Sequence, residues 1–207
     1  MDITYLGHSA FKIKTKTATV ITDPYDPKVV GFSYPKVEAD IVTVSHHHHD
    51  HDFLERVGGY KKVFDGPGEY EMMEVSMIGI PSFHDDENGG KRGKNTIFVI
   101  EADGLRIAHL GDLGQKLTQK QIEDLGEIDI LMVPVGGIYT LGPKEAFDVV
   151  QQVEPILALP MHYGPAMELI PVEEFLKTSG MAVEKLDKLT VKVDTLGEVE
   201  KIILLSR

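Results

Sequence analysis

Residues His46-His47-His48-His49-Asp50-His51 lie just after the apolar run Ile41-Val42-Thr43-Val44. Within them, His46, His48, Asp50 and His51 fill the spacing H-x-H-x-D-H, four metal-ligating side chains at the exit of a strand. Residues i and i+2 of an extended segment point to the same side, so His46 and His48 can face one cation together. A turn two residues later lets Asp50 and His51 face a second. A chain continuing as a helix over Asp52–Val57 would set that turn at a helix N-terminus, where an Asp is favourable. His84, Asp112 and His162 each stand on a loop after a further apolar run. Any fold for this chain has to gather those strand ends, and the gathered set suggests a two-metal hydrolase.

The run does not read as an expression tag, which would be terminal and free of the interleaved Asp. A merely solvated patch leaves unexplained why the other histidines fall at strand ends. His47 and His49 occupy the two x positions and are expected to point away from the metals, one of them buried and hydrogen-bonded.

The chain has no cysteine. A disulfide scaffold, a thiolate nucleophile and a Cys-type zinc site are therefore excluded, and any metal must be held by His and carboxylates. That ligand set suits zinc first, with manganese, nickel or iron compatible. A length of 207 residues fits one domain, 1–207, and 42% hydrophobic against 26% charged residues fits a packed water-soluble core. The net charge of -12 repels phosphate backbones, so nucleic acid is a disfavoured partner and a small molecule the expected one. No apolar run nears the ~20 residues of a membrane helix. Met1-Asp2-Ile3-Thr4 lacks a basic n-region and an apolar h-region, so a cytoplasmic location is expected. Oligomeric state is left open.

Short β-type runs dominate the first half: Ile3–Leu6, Phe11–Lys14, Thr19–Thr22, Ile41–Ser45, Lys62–Phe64, Ser76–Ile80, Thr96–Glu101 and Arg106–Leu110. Helical spacing then marks Thr118–Leu125, Lys144–Val153 and Val172–Thr178, alternating with strand-like Ile130–Val133 and Ile156–Leu159. Leu189–Val193 and Ile202–Leu205 close the chain as strands. Strands first and alternation later imply a mixed α/β (α+β) sheet protein covered by helices. The glycine-rich break from Asn88 to Lys94, just after His84, reads either as a mobile hairpin tip or as a flap beside the site. Gly66-Pro67-Gly68-Glu69-Tyr70 reads as a turn followed by a strand or edge segment, turn chemistry being preferred over a place for Glu69 or Tyr70 on the cleft rim.

Five elements occur in a fixed order: Gly7-His8-Ser9 with Thr22-Asp23-Pro24; His46-x-His48-x-Asp50-His51; Ser82-Phe83-His84-Asp85; His109-Leu110-Gly111-Asp112; and Pro160-Met161-His162-Tyr163-Gly164. Over nearly its whole length the chain resembles the metallo-β-lactamase fold superfamily, and within it the small single-domain metal-dependent hydrolases similar to the ascorbate-6-phosphate lactonase group. The resemblance implies a four-layer αββα sandwich. It also implies that His46, His48 and His84 bind one metal, that Asp50, His51 and His162 bind a second, and that Asp112 bridges them. Asp23 is a candidate acceptor behind a ligating imidazole, or an ordinary turn residue before Pro24. His8 either faces the cleft and touches substrate or anchors the first turn. His109 is expected near the site without ligating.

The chemistry so implied is attack by a metal-bound hydroxide on a small ester, lactone or phosphodiester, with Asp50 orienting the bridging water or accepting its proton. The Thr-x-Gly-His-Thr motif of the thiolesterase branch is missing. His48 stands where the flavin-linked di-iron branch usually carries Glu, which argues against redox chemistry. The competing reading from another class is a non-catalytic metal-binding sensor or assembly protein on the same fold.

Overall fold

Alternation in the long strand Lys94–Ala102 shows how the molecule is layered. Phe98 and Ile100 pack into a cluster with residues of both sheets, while Ile97 and Val99 pack into another with the helices. A strand buried on both faces reads as a near-continuous apolar run, as this one does. The computed structural model describes residues 1–197 and 200–207.

One sheet has six strands, in the order Leu189–Thr190, Asp2–Gly7, Ala10–Lys14, Thr19–Thr22, Ile41–Thr43, Lys62–Phe64. Its first connections are antiparallel hairpins, and its last two pairings are parallel. The other sheet has eight, in the order Val183–Leu186, Lys201–Leu205, Leu157–Met161, Ile130–Pro134, Leu105–His109, Lys94–Ala102, Val75–Phe83, Gly68–Met72. Its parallel half comes from the strand–helix alternation of the second half of the sequence. Ile3, Phe11, Ile13, Val20 and Ile41 of the first sheet meet Met77, Phe98, Ile107, Met132 and Leu159 of the second.

The outer face of the larger sheet is covered by helices Gln119–Leu125, Pro143–Val153 and Val172–Ser179. Each starts on a device written in the sequence. Thr118 and Gln121 form a capping box, Pro143 fills the first helical turn, and Pro171 stands at the N-cap. The outer layer over the smaller sheet is thin: Tyr25, Val30, Tyr34, Leu54 and Val57, carried on a one-turn helix Pro27–Val30, loops and a 3-10 turn. The four-layer αββα architecture is thus present, with one helical layer much reduced.

The helix expected over Asp52–Val57 does not form. Phe53 N–H is drawn to Pro24 O (2.8 Å), only Leu54–Arg56 make a 3-10 turn, and Val57–Gly58 pair with Val37–Glu38 as a small parallel ladder. The expected final strand Leu189–Val193 is shorter, since Leu189–Thr190 alone pair with Asp2–Ile3 and Val193–Thr195 turn. Strand Val183–Leu186 was not legible because three of its four side chains are exposed and none is fully buried, so no buried face imposes a period.

Candidate metal centre

Every candidate residue stands at one edge of the sandwich. His8, Asp23 and the His46–His51 run leave the smaller sheet there; His84, Asp112 and His162 leave the larger one. Two backbone hydrogen bonds stitch the sheets at this edge, Thr96 N–H to Ser45 O and His162 N–H to His8 O, both 2.8 Å. His8, Asp23 and His162 adopt left-handed backbone angles (φ 55°, 39° and 54°), a strained state for non-glycine residues that clusters at functional sites.

Glycines let the loops close in. A Cβ at Gly114 would lie 2.5 Å from the His84 carbonyl, and one at Gly136 would overlap the His162 carbonyl oxygen. The Gly136–Tyr139 segment therefore brings its backbone against a site residue.

At the centre, Asp112 Oδ2 lies 3.2 Å from Nε2 of each of His51, His84 and His162, and 4.0 Å from His46 Nε2. One carboxylate oxygen cannot satisfy so many imidazoles by hydrogen bonding. Asp112 Oδ1 and the Nε2 atoms of His51 and His162 are buried without a hydrogen-bond partner among the described residues. Such orphans cost roughly 1–3 kcal/mol each unless something fills the space between them. Neutral imidazole nitrogens around a carboxylate with two oxygens are the donor set that divalent cations take. Three sets of donor atoms lie within 4.8 Å of one another: His46, His48 and His84; His8, Asp50, His51 and His162; and His46, His51 and Asp112. The residues present thus fit divalent metal, with Asp112 grouped with His46 of one set and His51 of another.

Asp23, fully buried, sets the imidazole tautomers. Its Oδ2 accepts from His51 Nδ1 (2.9 Å) and from Ser45 Oγ (2.6 Å), and its Oδ1 accepts from Ser45 N–H (2.8 Å). The single Ser45 hydroxyl proton is committed to Asp23. His46 Nδ1, 3.0 Å from Ser45 Oγ, must then be the donor to that oxygen. Both Nε2 atoms are thereby left on the Asp112 side, and a cation there would take the place of the Nε2 proton that Asp112 favours on His51. One carboxylate orients an imidazole in each donor set, the usual way a metal-facing His is held.

Charge follows the same geometry. Burial opposes ionisation of Asp112, but His162 and His51 outweigh it and hold its carboxyl well below the usual range. Burial likewise disfavours charge on His51, yet Asp112 and Asp23 beside it push its pKa well above the ordinary value. Positive charge is favoured at the very point where a cation would sit. Burial lowers His46 to about 2 and His8 to about 4, keeping both neutral and able to ligate. Asp50 would be raised by burial, but the His8 hydrogen bond (3.2 Å) and the nearby His51 hold it below the usual carboxylate range. A carboxylate held so low suits a ligand or an orienting acceptor better than a proton acceptor.

His8 therefore joins the second donor set through Asp50, and Tyr5 Oη holds its turn by donating to His8 O (2.8 Å). His109 is fully buried, with Nε2 2.8 Å from Ser9 O, close to the site but in none of the donor sets. His48 is exposed and stands at the mouth, its Nδ1 3.0 Å from His46 Nε2. His47 and His49 do point away. Neither is buried, however, because Asp52 and Asp65 draw them to the surface. Two supporting residues escaped the sequence reading. Ser45 relays Asp23 to His46, and Asn95 accepts the Asp112 N–H on Oδ1 (3.0 Å) while donating to Ser82 Oγ and Leu110 O. A lone Ser or Asn carries no signal in the sequence until the sheets close on it.

The loop after His84 is anchored rather than loose. Asp85 accepts four backbone N–H groups, from Glu87 and Gly89 on Oδ1 and from Lys91 and Arg92 on Oδ2, at 2.7–2.9 Å. Burial would raise this carboxyl, but the Arg92, Glu87, Gly89 and Lys91 amides outweigh it and hold it at about 2.

Residues 2–162 match a family model described as the beta-lactamase superfamily domain. A metal-dependent hydrolase of Methanopyrus kandleri is 32% identical over an alignment covering 84% of this chain and 90% of that one. A second, from Thermococcus onnurineus, is 29% identical over 96% of this chain and 98% of its own. The crystal structure of a candidate zinc-dependent hydrolase of the metallo-beta-lactamase superfamily from Thermotoga maritima superposes with a TM-score of 0.82 at 38% identity, covering 99% of this chain and 97% of that one. With its strand-edge histidines and its sandwich fold, the chain belongs to the beta-lactamase superfamily domain family, among the metal-dependent hydrolases.

Proposed function

We propose that the protein is a dinuclear hydrolase of a small ester, lactone or phosphodiester. His46, His48 and His84 would hold one divalent cation, Asp50, His51 and His162 the other, and Asp112 would lie between them. The observation that carries this reading is the convergence of three Nε2 atoms at 3.2 Å on one buried Asp112 oxygen. Zinc is the first choice of metal, on the imidazole-rich donor set and on the description of the Thermotoga neighbour. Two such cations would supply Lewis acidity, making water acidic near neutral pH and polarising the electrophile.

The chain's own groups complete the work. Asp23, directly and through Ser45, keeps His51 and His46 in the ligating tautomer. His8 donates from Nε2 to Asp50 Oδ2 and so fixes the carboxylate that would orient the attacking water. No serine or cysteine nucleophile is required. His48→Ala and Asp112→Ala should each lose bound metal and hydrolysis together. The loss of rate should be about 10³-fold or more, since several kcal/mol of transition-state stabilisation would go with the cation. Elemental analysis beside assays on bis(4-nitrophenyl) phosphate and a simple lactone, with zinc, manganese or nickel supplied, is the check. A His48→Ala protein that keeps two metals and full turnover would sink the assignment. Two bound ions with no turnover on any substrate would favour the sensor reading.

A further inference from the structure

We propose that the cleft selects an anionic substrate, and that Arg92 and Lys94 seat its carboxylate or phosphate beside the cation-binding face. The inference rests on the hydrolase reading for its catalytic arm but not for its binding arm. A cleft of about 400 Å³ opens at the His46 end of the site, with His46, His47 and His48 on one side and Arg92 and Lys94 among its other lining residues. Its single acid, Asp65, lies 3.6 Å from His47 Nε2. Among the described residues, neither Arg92 nor Lys94 has a carboxylate within 4.0 Å. In a chain of net charge -12, two cations left without acidic partners on the wall of this cleft call for an anion from outside.

Arg92 is held by backbone and side chain, and Lys94 by its backbone. Arg92 N–H is bound by Asp85 (2.7 Å), its Nη2 donates to Ile138 O (3.1 Å), and its guanidinium lies 5.6 Å from the Tyr139 ring centre. That leaves most of the five guanidinium N–H donors free. Lys94 pairs across the ladder with Phe83, the residue before His84, and His84 N–H bonds Gly93 O. The same short hairpin thus carries a cation-site imidazole and the two positive charges. A substrate with its scissile group at the metals and an acidic group a few bonds away would meet both.

The test compares the metal-loaded protein with Arg92→Gln, Lys94→Gln and Arg92→Lys. Substrates are a neutral ester (4-nitrophenyl acetate), a carboxylate ester (mono-4-nitrophenyl succinate) and an ester whose phosphonate stands in for a phosphate (4-nitrophenyl 3-phosphonopropanoate), with metal content measured throughout. Each Gln variant should lose about 10- to 100-fold in kcat/KM on whichever anionic substrate the site accepts, a charge-assisted hydrogen bond being removed. The neutral ester and the metal content should be unchanged, and Arg92→Lys should recover part of the loss. Which anion responds tells a carboxylate site from a phosphate site. Equal losses on neutral and anionic esters, or none on either, overturn the proposal. Should no ester turn over, calorimetric titration with inorganic phosphate and with succinate decides. Weakening of at least about tenfold in the Gln variants, with metal content retained, supports the seat, and unchanged binding of both anions overturns it.

Discussion

Asp23 shows how much of this site depends on one side chain that ligates nothing. It holds His51 directly and His46 through Ser45, so a single substitution reaches both donor sets. Asp23→Asn keeps the shape but replaces one carboxylate oxygen with an N–H₂ group, which opposes a donor instead of accepting from it. Metal affinity should fall about 10- to 100-fold, the usual effect of removing an outer hydrogen-bond partner of a ligating His. Competition against a chelator of known affinity measures this, and an affinity equal to that of the unmodified chain would remove Asp23 from its assigned place. At this scale the sequence was informative where chemistry is concentrated and silent where it is dispersed. The His46–His51 block announces itself, while Ser45 and Asn95 are ordinary residues whose partners, Asp23 and Asp112, are set only by tertiary closure. Asp23 itself read equally as a turn residue, because a following Pro24 explains an Asp without any site.

Among the elements, the loop between His84 and Lys94 departs most from expectation. Its glycines suggested mobility, but the four N–H groups gathered by Asp85 make it a closed turn. An Asp after a candidate ligand carries no mark in the sequence that it will nest its own downstream backbone. Asp85→Asn can offer one oxygen to those amides and sets an N–H₂ group against the rest. Amide hydrogen exchange at Gly89, Lys91 and Arg92 should quicken by about tenfold or more, one lost charge-assisted bond being worth that much. Exchange in the strand Val75–Phe83 should be unaffected. Unchanged protection at Arg92 would mean that the loop is held by Arg92's contacts with Ile138 and Tyr139 instead. Strands and helices were legible wherever a buried face imposed a period, as in Lys94–Ala102 and Pro143–Val153. Asp52–Val57 shows the opposite case: Leu54 and Val57 are drawn into the apolar layer over the smaller sheet without a helix, because the Phe53 N–H bond to Pro24 O and pairing with Val37–Glu38 prevailed.

Across the whole molecule, the site is the seam of the sandwich. His8, His46, His48, Asp50 and His51 stand on loops leaving the smaller sheet, and His84, Asp112 and His162 on loops leaving the larger, with two 2.8 Å backbone bonds between the two sides at this edge. The sequence implied the gathering of these residues but not the seam, because sheet partition depends on pairings far apart in the chain, such as Asp2 with Thr190. Cations held between ligands of both sheets would bind the folded state and not the unfolded one, so metal should act as a clamp on the fold. At a free concentration about 100-fold above its dissociation constant, one cation adds roughly 2.7 kcal/mol. In a chain of this length that raises the Tm by about 5–10 °C. Thermal unfolding with added zinc and after exhaustive chelation should differ by at least that much. The difference should vanish in Asp112→Ala, which removes the side chain reaching toward both donor sets. An equal shift in that variant would place the stabilising cation elsewhere on the acidic surface, and no shift in the unmodified chain would mean that the sheets close without help from metal.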